Sequence, residues 1–144
     1  MSDAKSISEV KNPVEMIRLQ KDIDELFAKR RSLVRSGNQT STLSSIYLLR
    51  ALEEKSASLL FLLHAPKRTM KQAPLRNKLK RWIREAIRQS AEIAEVSNLL
   101  KEQNSQVLLL LRADFKPSKD HGWKEIKEDI VVIGNLLLKK IQKS

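Results

Sequence analysis

One stretch, residues 74–88 with the sequence PLRNKLKRWIREAIR, constrains the fold more than any other part of the chain. Apolar residues recur at helical spacing from here to position 94, which predicts one amphipathic helix with a single buried stripe. The stripe consists of Leu75, Leu79, Trp82, Ile83, Ala86, Ile87 and Ala94. Pro74 is compatible with the first turn of that helix. Because such a helix must pack its stripe against a second layer, the chain needs another apolar surface.

Three short apolar segments predict a sheet that provides this surface. Residues 44–52 and 56–65 are separated by a charged link at 53–55, and their length and spacing indicate a β-hairpin. Residues 105–113 hold a five-residue apolar run between polar residues, which favours a central strand over a helix.

Two further amphipathic segments predict helices near the two ends of the chain. The first begins at Val14 and the last at about His121. Their apolar faces contain Val14, Ile17, Ile23, Leu26 and Phe27 in the first, and Ile126, Ile130, Ile133, Leu137 and Ile141 in the last. The order helix, two or three strands, helix, strand, helix predicts an α+β sandwich with helices packed on a small sheet. We expect residues 1–13 to form a flexible arm and residues 14–144 to form one domain.

The composition excludes several classes of function. The chain has no cysteine, which rules out disulfides, thiolate nucleophiles and cysteine-based zinc sites. Its three glycines form no glycine-rich phosphate loop, and His64 and His121 are isolated from other catalytic or metal-binding residue types. The longest apolar run has five residues, at 107–111, so we expect no membrane span. Without an apolar signal core near the N-terminus, a cytoplasmic location is expected.

The charge of the chain is high and unevenly distributed. There are 28 basic and 17 acidic residues, which give a net charge of +11. Residues 64–90 contain nine basic residues and one acidic residue, so this window alone carries +8. A concentrated basic patch is typical of a nucleic-acid-binding surface. Charge alone is explained equally well by a solvated basic face that serves only solubility.

The position of the cations along the predicted helix favours nucleic-acid binding. Four of them occupy its first two turns: Arg76, Lys78, Lys80 and Arg81. The helix dipole makes each cation there unfavourable by about 0.3–1 kcal/mol. A ridge of like charges also repels itself at i, i+4 spacing, and it consists of Arg76, Lys80, Arg84 and Arg88. Bound phosphate would remove both penalties, whereas a membrane-surface helix is disfavoured because the predicted sheet requires the apolar stripe.

Residues 76–88, RNKLKRWIREAIR, closely resemble the signature helix of the bacterial ribonuclease P protein family, R-N-R-x-K-R-x-x-R-E-x-[FY]-R. Two positions depart from that pattern, since Lys78 replaces an arginine and Ile87 replaces an aromatic residue. The resemblance continues through the first helix, the strand end at 66–68, and the last strand and helix. In the first helix, Ile23 stands where the family has phenylalanine.

The resemblance implies a small α/β sandwich whose central four-stranded sheet carries packed helices. This fold is like the second domain of ribosomal protein S5 and contains a left-handed βαβ crossover. The resemblance also implies a partner, the ribonuclease P catalytic RNA, which removes the 5′ leader of precursor tRNA by metal-dependent hydrolysis. The protein then has no catalytic residue, magnesium (Mg) is bound mainly by the RNA, and no membrane or obligate protein partner is expected.

The same resemblance implies roles for individual residues. The RNA-binding set lies on the signature helix and the strand end before it: Arg76, Asn77, Lys78, Lys80, Arg81, Arg84, Arg88, Lys67 and Arg68. A cleft between the first helix and the sheet accepts the single-stranded leader, with Phe27 and Tyr47 as candidate contacts. Trp82 and Trp123 are predicted to pack in the core.

Two alternatives stay open: a general structured-RNA-binding, ribosome-associated protein with no role in cleavage, and a helix bundle whose basic face binds an acidic protein.

Overall fold

A computed structural model of the chain describes residues 14–34, 43–53, 55–65, 71–113 and 122–142, which form five strands and four helices. In chain order these are β1 (Val14–Met16), α1 (Gln20–Lys29), β2 (Arg31–Val34), β3 (Leu43–Ala51), β4 (Leu59–His64), α2 (Ala73–Gln89), α3 (Ala91–Glu102), β5 (Ser105–Ala113) and α4 (Trp123–Gln142). The predicted α+β class is confirmed. The predicted arm at residues 1–13 lies outside the described residues.

The five strands form one mixed sheet in the order β1-β4-β5-β3-β2. Strand β5 occupies the centre, as its apolar run predicted, and pairs with β4 in parallel and with β3 antiparallel. The expected count of four strands is wrong, because Val14–Met16 pairs with β4 as an additional edge strand. The first helix accordingly begins at Gln20 and not at Val14.

The predicted hairpin between residues 44–52 and 56–65 is also wrong. The two segments are strands, but each pairs with β5 and not with the other. Leu49 of β3 and Leu59 of β4 both lie opposite Val107 of β5. Strand β5 lies between the two: all nine of its residues pair with β3, and Val107–Arg112 also pair with β4. The path from β4 to β5 through α2 and α3 is therefore a parallel crossover, whose left-handedness stays a prediction.

The long predicted helix is divided at Ser90 into α2 and α3. Ser90 has an extended backbone (φ −80°, ψ 120°), and its Oγ accepts a hydrogen bond from the Ile93 N–H at 3.2 Å. Serine is a favoured N-cap because its hydroxyl satisfies an amide that the helix leaves unpaired. The break rotates α3 relative to the stripe of α2, so Ala94 is exposed and does not belong to the buried stripe.

Helices cover both faces of the sheet and create two cores. The larger core lies between the sheet and helices α2, α3 and α4, and the smaller one lies beneath α1. Within the larger core, α3 and α4 approach closely at Gly134. A Cβ at this position would lie 2.7 Å from the Cβ of Glu92, so the crossing requires glycine.

Candidate nucleic-acid interface

Helix α2 presents an apolar face to the core and a basic face to solvent. Leu79, Ile83, Ala86 and Ile87 are buried, as the predicted stripe requires. The helix carries six basic side chains and one acidic side chain, Glu85. Its first turn contains no acidic residue, and no side chain caps its N-terminus. The local sequence therefore leaves the positive end of the helix without a negative group of its own.

The predicted RNA-binding residues of α2 fall into two groups by their exposure to solvent. Asn77, Lys78, Arg81 and Arg88 are exposed, and Arg76, Lys80 and Arg84 are half-buried along the side of the helix. Glu85 accepts a hydrogen bond from Arg88 at 2.7 Å, and Arg76 Nη1 donates to the carbonyl of Lys71 at 3.0 Å. One carboxylate thus faces six cations. Lys67 and Arg68, predicted to join this set, lie outside the described residues.

A groove of about 480 Å³ lies on the other face of the sheet, beside α1. Phe27 of α1 borders it with 45% of its surface exposed. Its floor contains one apolar row across three strands, in which Ile46 and Leu62 both lie opposite Leu110. The groove is open to solvent, apolar along its floor, and bordered on one side by an exposed aromatic ring.

Polar and basic side chains that were not predicted from the sequence complete this groove. They are Arg30, Ser44, His64 and Arg112. Ser44 and His64 lie on either side of Arg112 in adjacent strands, one row beyond the apolar row. An alternation of polar and apolar residues along one strand would have predicted these residues. The apolar runs of β4 and β5 are continuous, however, and do not show which residues share a face of the sheet.

Tyr47 does not reach this groove. It is 6% exposed and belongs to the larger core, on the opposite face of the sheet from Phe27. Because successive residues of a strand point to opposite faces, Ile46 at the groove places Tyr47 among the helices. Ile23 is half-buried in the smaller core. Of the two predicted leader contacts, the structure brings only Phe27 to the groove.

Arg50 of β3 fixes the position of α1, and therefore that of Phe27. Its guanidinium donates hydrogen bonds to Glu25, to Asp22 at 2.9 Å and to Glu53 at 2.9 Å, while its Nε donates to Gln106 at 2.8 Å. Burial opposes the charge of Arg50, but hydrogen bonds to Asp22 and Glu25 and their negative charge raise its pKa above its ordinary value. The guanidinium thus ties the helix to the sheet while staying ionised.

The ridge of α2 also borders a second cavity. A space of about 600 Å³ lies between β1 and the junction of α2 and α3, with Arg84 and Arg88 on its wall and Met16 and Phe61 among its apolar lining.

Within the described ranges, no helix is long and apolar enough to cross a membrane. The same ranges contain no group of three or more histidine or acidic residues arranged to hold a metal ion.

Comparisons with known proteins agree with this architecture. A family model described as Ribonuclease P matches residues 14–133. The RNase P protein from Thermotoga maritima is 17% identical, with a TM-score of 0.50, over 90% of this chain and 96% of that protein. The Staphylococcus aureus RNase P protein is 18% identical, also with a TM-score of 0.50, over 92% of this chain and 94% of that protein. No curated protein sequence matches the chain significantly. At these identities, the two solved structures support the fold alone.

Proposed function

Because the chain belongs to the ribonuclease P protein family, we propose that it is the protein subunit of ribonuclease P. In this proposal the protein binds the catalytic RNA and the 5′ leader of precursor tRNA. The RNA and its magnesium ions carry out the hydrolysis, and the protein contributes binding and orientation. The basic face of α2 carries the proposal.

That face is better suited to a polyanion than to isolation in water. Its six cations repel one another and the helix dipole, and the lone Glu85 offsets one of them. Phosphates of a folded RNA would meet the cations and the uncapped amides of the first turn together. Arginine also binds phosphate through two parallel hydrogen bonds, a geometry that lysine does not reproduce. Binding therefore relieves the electrostatic cost that folding alone leaves in place.

The groove beside α1 supplies a site for the leader. A single-stranded nucleotide can stack a base on the exposed ring of Phe27 and place its phosphates near Arg30 or Arg112. Duplex RNA would not enter so readily, because its bases are already stacked and paired. The groove thus favours precursor tRNA, which has a leader, over mature tRNA, which has none.

Reconstitution at low magnesium tests the proposal as a whole. The purified protein is combined with a bacterial ribonuclease P RNA, and precursor-tRNA cleavage and binding are measured. We expect the protein to lower the magnesium requirement and to strengthen the binding of precursor over mature tRNA. A protein that binds both tRNAs equally, and leaves the magnesium requirement unchanged, would instead be a general RNA-binding protein.

Matched variants test the two surfaces separately. Replacing Arg81 by alanine should lower the salt dependence of RNA binding by about 0.7–0.9 unit, whereas Lys101→Ala, an exposed cation of α3, should leave it unchanged. Phe27→Ala should weaken the preference for precursor by about 1–3 kcal/mol, with Val132→Ala, a similarly exposed apolar residue of α4, as the control. Equal losses for a variant and its control would reject the corresponding surface.

A further inference from the structure

We propose that the RNA-binding surface continues from α2 onto α4 across the two tryptophans of the chain, and that it stacks an unpaired nucleotide of the partner RNA. This inference rests on the proposed function but adds a site outside the signature helix. Its components are Lys78 and Trp82 on α2, and Trp123 and Lys127 on α4.

The four side chains form a continuous row across the two helices. The ring centroids of Trp82 and Trp123 are 6.3 Å apart with the planes inclined at 55°. Lys78 Nζ lies 4.9 Å from the Trp82 centroid, and Lys127 Nζ lies 5.2 Å from the Trp123 centroid. Both rings pack against the larger core, as predicted, yet both stay partly exposed. The rings are therefore held in place while part of their surface faces solvent.

The charges around this row complement a polyanion. Lys78 already belongs to the predicted RNA-binding set, and Lys127 extends the positive surface by one helix. Two acidic residues near the start of α4 are directed elsewhere. Glu125 accepts a hydrogen bond from the Gly122 N–H at 2.7 Å, and buried Asp129 accepts one from the Leu43 N–H at 2.9 Å. Among the exposed charged side chains near the start of α4, Lys124 and Lys127 outnumber Glu128, and Lys78 adds a further positive charge from α2.

The arrangement suits a nucleotide because it offers both of the contacts that a nucleotide needs. A base can stack on an indole face, which changes affinity by about 5- to 150-fold per base. A lysine ammonium now held above a ring can move a short distance on its flexible stem and meet the adjoining phosphate. The cation–π pairs keep the lysines near the rings until the RNA replaces the ammonium on the aromatic face.

Tryptophan fluorescence tests the stacking directly, because these two residues are the chain's only tryptophans. Emission is followed while ribonuclease P RNA is added to the full chain. We expect saturable quenching that follows binding and persists in Trp82→Phe, where Trp123 is the remaining fluorophore. If Trp123 emission stays constant while RNA binds, the stacking proposal is overturned.

Lysine variants test the extension onto α4. Lys127→Ala should lower the salt slope of RNA binding by about 0.7–0.9 unit, while Lys139→Ala, an exposed cation near the other end of α4, should not. Trp123→Leu should weaken binding about fivefold or more, and Trp123→Phe, which keeps a ring, should restore most of it. If Arg81→Ala reduces the slope but Lys127→Ala matches Lys139→Ala, the proposed function stands and this extension is wrong. Absence of any RNA binding by the unaltered protein would overturn both.

Discussion

Arg50→Met should destabilise the protein strongly, although it removes a single surface-adjacent charge. Methionine keeps most of the apolar stem of arginine but cannot neutralise the carboxylates around it. The side chain of Asp22 is only 6% exposed, so removing the guanidinium leaves a buried charge without compensation. Such a loss costs about 3–5 kcal/mol, whereas Glu25 and Glu53, which are more exposed, each add about 0–1 kcal/mol.

Urea denaturation provides the assay for this prediction. Arg31→Met, at an exposed arginine of β2, is the matched control and should change stability by less than about 0.5 kcal/mol. Because the cost arises from an uncompensated carboxylate, adding Asp22→Asn to Arg50→Met should restore part of the loss. Equal stability of Arg50→Met and Arg31→Met would refute the reasoning, as would a double variant less stable than Arg50→Met alone.

The same substitution connects stability to the groove beside α1, the proposed leader site. Arg50 joins β3 to Asp22 and Glu25 of α1, and Phe27 lies on that helix. A domain near the middle of the ordinary stability range, about 10 kcal/mol, can lose about 3–7 kcal/mol and still be mostly folded at 25 °C. We therefore expect folded Arg50→Met to prefer precursor tRNA less than the unaltered protein does, while its affinity for the catalytic RNA is unchanged. A parallel loss of both would indicate general unfolding.

Two further substitutions test the start of α3 and its crossing with α4. Ser90→Ala should cost about 1 kcal/mol because the Ile93 N–H loses its cap, whereas Ser90→Thr, which keeps a hydroxyl, should cost less; equal losses in urea denaturation would show that the hydroxyl is not responsible. Gly134→Ala should destabilise the protein by about 1–3 kcal/mol, because the new Cβ would meet the Cβ of Glu92. The control, Asn135→Ala on the exposed side of α4, should be neutral or slightly stabilising. A calorimetric melting temperature for Gly134→Ala at or above that of Asn135→Ala would contradict the close crossing.

The sequence predicted what depends on neighbours along the chain. The stripe of α2 repeats within four residues, so Leu79 and Ile83 could be assigned to the core without knowing what covers them. The five-residue run in β5 likewise identified a strand buried on both faces. The exposed cations of α2 follow from the same helical geometry, which is why this half of the candidate site was predictable.

What escaped prediction depends on partners distant in sequence. Strands β3 and β4 could have paired with each other as a hairpin, but in the structure β5 lies between them. This strand order depends on contacts between distant segments, and the local sequence pattern does not determine it. The strand order, together with the alternation of side chains along each strand, also determines the face of the sheet on which Tyr47 and Leu110 lie. Arg112 was not predicted for the same reason, because it lines the same groove as Phe27 only when three strands align. Ser90 was a local signal for a helix break, but the apolar residues continue at helical spacing on both sides of it and therefore favoured one long helix.

The burial of the apolar face of α2 has a consequence for hydrogen exchange. The helix that bears the basic face buries Leu79, Ile83, Ala86 and Ile87 in the larger core, so freeing it exposes much of that core to water. Its amides should therefore exchange with solvent at rates close to those of β5, and far more slowly than those of edge strand β1. In the proposed complex, α2 is already ordered before the RNA arrives, so little of the binding free energy is spent on arranging its backbone.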